Sequence, residues 1–159
     1  MNLFINPNRA EIQLVLTVIL LAYAWYRGGE PERASAGTML AMLIVDRAYH
    51  VVFDASVTLS TTDIWHFTLD LGVLAAFGAI ALQANRFYPL VLAGLQLVAV
   101  NAHLVRSFVE AISPIAYFGL YVVPSYFQLI VIAVGISLHA RRYNRFGPYR
   151  DWRGSPVPA

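Results

Sequence analysis

The chain has 159 residues, 58% of them hydrophobic and 13% charged, and its formal net charge is +2. This composition is typical of a small membrane protein, leaves room for one helical bundle, and carries too little positive charge for nucleic-acid binding. Because the chain has no cysteine, it excludes disulfides, thiolate metal sites, cysteine nucleophiles and covalently attached c-type haem.

Five apolar segments follow one another along the chain, each close to the ~20 residues that cross the ~30 Å hydrocarbon core of a bilayer. The first begins after Asn-Pro-Asn at 6–8 and has Glu11 in its first turn, both of which are helix-start signals. The predicted spans cover residues 10–27, 36–54, 64–84, 87–112 and 115–140. We therefore predict an all-α polytopic transmembrane bundle over residues 1–145, followed by an irregular cytoplasmic tail over 146–159.

The distribution of arginines predicts the orientation of the bundle. Eight arginines lie in the links after the first and third spans and in the C-terminal tail, all of which fall on one side of the membrane. The opposite side offers only Arg9. Since cytoplasmic loops carry the excess of basic residues, we predict a multi-pass protein of the bacterial inner membrane, with its N-terminus outside and its C-terminus in the cytoplasm.

Ionisable side chains lie well inside three of the spans. Such groups are costly within a bilayer and normally face the bundle interior, where they have partners. At about 1.5 Å of rise per residue, most of them fall in the outer half of the membrane, whereas the inner half offers little beyond Thr38, Gln83 and Gln96. We predict a polar cluster in a cavity open to the extracytoplasmic side. Its predicted members are Asp46, Arg47, His50, His66, Asp70, His103, Arg106 and Glu110.

Two of the basic side chains receive more specific predictions. Arg47 projects about 100° away from Asp46 on its helix, so we expect its partner on a neighbouring helix and favour Asp70. His139 lies close to Arg141 and Arg142 at the inner end of the fifth span, and we interpret it as an interfacial residue.

The small size, the short links and the lack of a soluble domain favour a structural function. In this hypothesis the chain is a non-catalytic accessory or scaffold subunit of a larger membrane complex, and its buried ion pairs fix which helix faces meet. The expected partners are the lipid bilayer and either other membrane subunits or further copies of the chain, with no nucleic acid. This hypothesis requires no cofactor and no catalytic residue.

Two alternatives remain open. The first is an electron-transfer subunit that binds a metal ion or haem b, because His50, His66 and His103 lie on three helices at similar depth. His50 and His103 would be the axial pair of a haem. The second alternative is translocation of protons or a small solute, because chains of Asp and His within a membrane are the usual material of proton paths. Membrane-embedded catalysis is less favoured, because the sequence has no GxSxG motif and no phosphate-binding glycine loop.

Overall fold

The computed structural model of the protein describes residues 8–53, 64–108 and 114–156. Within these ranges the chain forms five α-helices and no strand. The helices are α1 (Arg9–Arg27), α2 (Glu30–Phe53), α3 (Ile64–Gln83), α4 (Tyr88–Phe108) and α5 (Pro114–Phe146). The predicted all-α fold is confirmed, and five helices are long and apolar enough to cross a membrane.

The link between α1 and α2 consists of two glycines, so α2 begins well before the span predicted at residue 36. The Glu32 carboxylate accepts a hydrogen bond from the backbone N–H of Gly29 at 3.0 Å, which satisfies an amide at the start of α2. Arg33 donates to the carbonyl oxygens of Ala24 at 3.4 Å and Gly28 at 3.2 Å, at the end of α1. Glu32 and Arg33 therefore provide hydrogen bonds to the backbone at the start of α2 and at the end of α1, respectively.

Consecutive helices pack against each other, and α5 also packs against α1 and α2. The result is an up-and-down bundle with two distinct ends. We call one end the tail end: α1, α3 and α5 end there, α2 and α4 begin there, and the C-terminal residues lie against it. The opposite end, where α2 ends and α3 begins, is the histidine end.

A layer of buried apolar side chains crosses the middle of the bundle. It contains Met39 of α2, Phe77 of α3, Leu92 of α4, and Ile132 and Ile136 of α5, all at most 1% exposed. On α2 to α5, this layer lies between polar residues near the histidine end and polar residues near the tail end. Large apolar side chains also cover the outside of the bundle, among them Ile19, Val51, Leu82, Phe108 and Ile130. Apolar exposure on this scale is unusual for a soluble monomer.

The residues after α5 turn back across the tail end of the bundle. Gly147 ends the helix with a φ of +79°, a left-handed conformation that glycine adopts without steric cost. The backbone N–H of Arg153 then donates to the carbonyl of Gln83 at 2.8 Å, and Asn85 donates to the carbonyl of Asp151 at 3.0 Å. Residues 147–156 therefore lie against the α3–α4 link.

Candidate functional site

Three potential metal ligands meet at the histidine end. Asp46 and His50 occupy successive turns of α2, and His66 lies in the first turn of α3. The Nε2 atoms of the two histidines are 3.3 Å apart. Asp46 Oδ1 lies 3.1 Å from His66 Nε2 and 3.7 Å from His50 Nε2. We call these three residues the His/Asp triad. The spacing of four along α2 explains why its two members project from the same face.

The three distances fit one face of a tetrahedron. With metal–ligand bonds of about 2.0–2.1 Å, two ligand atoms of a tetrahedral ion lie about 3.3 Å apart. The three edges of the triad are 3.1, 3.3 and 3.7 Å, so small side-chain movements suffice to close them on a single ion. The group is also a recognisable set of metal ligands by residue type and separation. Two imidazoles and one carboxylate suit Zn²⁺ or Fe²⁺ better than Ca²⁺ or Mg²⁺.

The carboxylate of the triad lies close to both imidazoles. Asp46 Oδ1 is buried, and among the described atoms it has no hydrogen-bond partner, although two imidazole nitrogens lie close to it. A buried acceptor without a donor costs free energy. A cation bound by the three side chains would satisfy this oxygen, together with the two imidazole nitrogens beside it.

A cavity of about 230 Å³ reaches the triad from inside the bundle. Besides the triad it is lined by Asp70, Gln13 and Ser125, and Gln13 Nε2 donates a hydrogen bond to Ser125 Oγ across the α1–α5 contact. The triad therefore offers three potential protein ligands and an adjacent space. This is the arrangement of zinc sites that keep a fourth position for water or a further ligand.

A second polar group lies deeper in the bundle and is connected as a chain of hydrogen bonds. Gln128 Nε2 of α5 donates to Gln96 Oε1 of α4 at 2.8 Å, and Gln96 Nε2 donates to Asp70 Oδ1 of α3 at 2.8 Å. His103 Nε2 donates to the other carboxylate oxygen of Asp70 at 3.0 Å. All four side chains are buried. We call this group the polar chain; it ties α3, α4 and α5 together.

The predicted cluster members thus fall into separate places. Asp46, His50 and His66 form the triad, and Asp70 and His103 belong to the polar chain. Arg47 lies apart from both: its side chain is 53% exposed and contacts Glu11 of α1 at 3.5 Å, instead of the expected Asp70. Arg106 is half-buried near the end of α4. Glu110 lies outside the described residues.

The proposed axial pair of a haem is not arranged face to face. The Nε2 atom of His50 is turned toward His66, and that of His103 is hydrogen-bonded to Asp70. The two nitrogens that would ligate haem iron therefore have different partners on α3. The triad cavity, at about 230 Å³, is also smaller than the ~300–1,000 Å³ typical of pockets for larger ligands.

The tail end holds a polar cluster that the sequence did not predict. Its members, which we call the tail-end cluster, are Glu32, Arg86, His139, Tyr149 and Asp151. The expectation of a largely apolar inner half is therefore incomplete, and His139 is buried with hydrogen-bonding partners, whereas the sequence suggested an interfacial residue. Burial raises the pKa of the Tyr149 phenol, so its hydroxyl stays protonated near neutral pH.

Arg86 is the centre of the tail-end cluster. Its side chain is 7% exposed, and its Nε donates to Glu32 Oε1 at 3.2 Å. One terminal nitrogen donates to Asp151 and to His139 Nδ1, and the other to the carbonyls of Asn85 and Arg150. Since arginine has five N–H groups, its donors are fully used. This one side chain therefore joins α2, α5 and the C-terminal residues.

A sequence signal for this cluster exists in the α1–α2 link. Gly28-Gly29-Glu30-Pro31-Glu32 places a proline and two carboxylates at the start of α2, which is a helix-start pattern. That pattern predicts a helix beginning near residue 30, with Glu32 in its first turn. The partner of Glu32 on the α3–α4 link, however, follows only from the tertiary structure.

Comparison of the chain with protein-family models, with curated proteins and with solved structures gives no match.

Proposed function

We propose that the protein is a small multi-pass protein of the bacterial inner membrane that binds a divalent transition-metal ion, such as Zn²⁺ or Fe²⁺, through Asp46, His50 and His66. The observation that carries the proposal is the triangle of ligand atoms with edges of 3.1, 3.3 and 3.7 Å. The buried oxygen of Asp46, which lies beside both imidazoles and has no hydrogen bond among the described atoms, supports it. The excess of arginines at the tail end supports an orientation in which the triad lies in the outer leaflet and faces the extracytoplasmic side.

A single ion is favoured over haem b. The triad offers three ligand atoms around one point, whereas His50 and His103 have different partners and do not face each other. With no cysteine in the chain, imidazole and carboxylate are the strong ligands that it supplies. Loss of any one of the three side chains is expected to weaken binding strongly without removing the remaining two ligands.

A non-catalytic accessory subunit remains the second candidate, and the polar chain favours it. Gln128, Gln96, Asp70 and His103 are joined in a linear series of buried hydrogen bonds. A series of this kind fixes the register of three helices and leaves little capacity for a ligand. After extraction in a mild detergent, such a subunit would migrate on a native gel as part of a larger assembly with other membrane subunits, or as a homo-oligomer. A lone monomer would contradict this role.

Translocation across the whole bundle receives less support. The polar chain ends at Gln128, and the apolar layer that includes Phe77 and Ile132 separates it from Arg86 and Glu32 at the tail end. A proton or solute path through one chain would have to cross that layer.

Metal binding is tested directly on the purified full-length protein. The chain is loaded with Zn²⁺ in detergent and dialysed, and the bound metal is measured by elemental analysis together with a visible absorption spectrum. We expect about one ion per chain and no haem absorption. His50→Ala, His66→Ala and Asp46→Ala should each lower the affinity by more than about 100-fold, since even loss of an outer-shell partner costs about 10–100-fold.

Arg47→Ala provides the matched control. Arg47 is adjacent to Asp46 in the chain, carries a charge, and is exposed on the outside of α2, where it contacts Glu11. This variant should keep the full complement of metal. Equal metal content in the wild type and in all three triad variants would exclude the triad as the binding site.

A further inference from the structure

A groove of about 650 Å³ lies on the outside of the bundle at the tail end, between α4 and α5. Its volume lies within the ~300–1,000 Å³ typical of ligand sites. The groove is independent of the His/Asp triad, which occupies the opposite end of the same bundle. Cationic side chains line one part of its length, and apolar side chains line the other part.

The part of the groove nearest the tail end is cationic. Arg86, Arg142 and Arg153 line it, and among the described residues that form its wall none is acidic. The charge of Arg86 is balanced by Glu32 and Asp151, which do not line the groove. Arg142 and Arg153 are exposed and, within the described part of the chain, form no salt bridge. These two arginines supply the positive charge that faces the groove.

The rest of the groove is apolar and runs from the tail end toward the middle of the bundle. Leu138, Val134 and Ile130 follow one another along α5, and Val91 faces them from α4. Its floor is close-packed, because the ring of Tyr88 lies against Gly135: a Cβ at Gly135 would stand 2.9 Å from the ring. From Arg142 to Ile130 the groove extends about 18 Å at ~1.5 Å per residue.

We propose that this groove binds an anionic phospholipid of the inner leaflet. The phosphate would lie against Arg142 and Arg153, and one acyl chain would lie along Val134 and Ile130. A basic pocket between helices on the cytoplasmic side is the usual setting for anionic lipid headgroups. The two-part lining matches an amphipathic anion, whereas a soluble phosphate would leave the apolar part of the groove unused. The inference depends on the proposed membrane orientation and not on the metal site.

The test compares lipids on the full-length protein in mild detergent by native mass spectrometry. Phosphatidylglycerol is titrated against phosphatidylcholine with identical acyl chains, and glycerol 3-phosphate is the soluble competitor. We expect phosphatidylglycerol to bind at least about tenfold more tightly, with no displacement by glycerol 3-phosphate. Equal binding of the two lipids would overturn the proposal. Displacement by glycerol 3-phosphate would also overturn it, in favour of a soluble anion.

Variants separate the two parts of the groove. R142Q combined with R153Q should weaken phosphatidylglycerol binding about 30-fold, because each arginine near the surface contributes roughly a factor of five. R145Q is the matched control: Arg145 is exposed in the last turn of α5, does not line the groove, and should leave binding unchanged. Unchanged binding in the double variant would place the lipid elsewhere and contradict the proposal.

Val134→Trp tests the acyl-chain part without altering charge. Val134 is exposed on the groove wall, so the larger side chain fills the groove without disturbing the buried core. We expect at least a tenfold loss of phosphatidylglycerol binding and an unchanged helical circular dichroism spectrum. Retained binding would contradict the role of the apolar wall. Asp46→Ala should bind the lipid normally, so failure of the metal site and failure of the lipid site are distinguishable.

Discussion

His50 and His66 face each other with their Nε2 atoms 3.3 Å apart, at the boundary between α2 and α3. Both imidazoles also lie close to Asp46 Oδ1, so three side chains direct ligand atoms toward one point. The stacked rings of Tyr49 and Trp65, whose centroids are 4.1 Å apart, join the same two helices directly beside the triad. The pairing of α2 with α3 at this end is therefore fixed by aromatic packing as well as by the polar groups.

The polar chain should be sensitive to loss of its central member. Gln96→Leu is expected to lower the free energy of unfolding by about 1–3 kcal/mol for each buried group left unsatisfied, since it removes the donor to Asp70 and the acceptor for Gln128. Thermal unfolding in detergent, followed by circular dichroism, measures the effect. Asn101→Leu is the control, because Asn101 lies on the same helix but is exposed and donates to the carbonyl of Leu97 in the preceding turn. Equal stability of the two variants would contradict a structural role for the chain.

Arg86 should be the most important side chain at the tail end. Arg86→Ala leaves Glu32, which is 0% exposed, without its cation, and breaking a buried pair in this way costs about 3–5 kcal/mol. For a chain of this size the melting temperature should fall by about 6–20 °C. Arg145→Ala, an exposed arginine near the same end, should change it little. A drop of less than about 2 °C in Arg86→Ala would show that the cluster contributes little to stability.

The contact of the C-terminal residues with the bundle requires a residue without a side chain at position 29. A Cβ at this position would stand 2.6 Å from an oxygen of Asp151, which already accepts hydrogen bonds from Arg86 and from the backbone N–H of Glu30. Gly29→Ala should therefore displace Asp151 and release residues 147–156. Limited trypsin digestion should cleave the variant after Arg150 faster than the wild type.

Gly37→Ala is the matched control for that digestion. Among the described residues, a Cβ at Gly37 of α2 meets no atom within 4 Å beyond the backbone of its own helix, so the substitution leaves the packing unchanged. Its cleavage rate should equal that of the wild type. Similar rates for Gly29→Ala and Gly37→Ala would show that the contact between Gly29 and Asp151 does not hold the C-terminal residues.

Much of the bundle could be predicted because the relevant signals are local. Apolar segments of sufficient length indicate each helix, and a spacing of four residues places Asp46 and His50 on one face. The position of His66 along its own helix then places it at a depth in the membrane similar to that of His50. The direction of Arg47 could not be predicted: its length and position allow it to reach either a neighbouring helix inside the bundle or Glu11 on the outside, and only packing decides between them.

The tail-end cluster could not be predicted for a different reason. Glu32, Arg86 and Asp151 come from three separate parts of the chain, and each resembles an ordinary polar residue in a link or tail. Their burial depends on simultaneous pairing, so the helix-start pattern at residues 28–32 indicates where α2 begins but not which residues its carboxylates meet. The C-terminal residues are irregular in secondary structure, and only their contacts with the α3–α4 link show that they are part of the bundle end.

Protons should displace a metal ion that is bound at the triad. The metal and the proton compete for the same imidazole and carboxylate lone pairs, so acidification should release the ion and loading should release protons. Isothermal titration of Zn²⁺ in two buffers of different ionisation enthalpy measures the number of protons released. A binding enthalpy that is independent of the buffer, with no loss of metal at acidic pH, would contradict binding through the histidines.

X-ray absorption spectroscopy of the Zn²⁺-loaded protein tests the central claim most directly, because it reports the atoms bound to the metal. We predict a four-coordinate ion with two imidazole nitrogens at about 2.0–2.1 Å, together with oxygen ligands at about 2.0–2.2 Å. In His66→Ala, loaded at a Zn²⁺ concentration that saturates its weakened site, the imidazole contribution should fall by half. A spectrum of oxygen ligands alone, or one that His66→Ala leaves unchanged, would show that Asp46, His50 and His66 do not bind the ion.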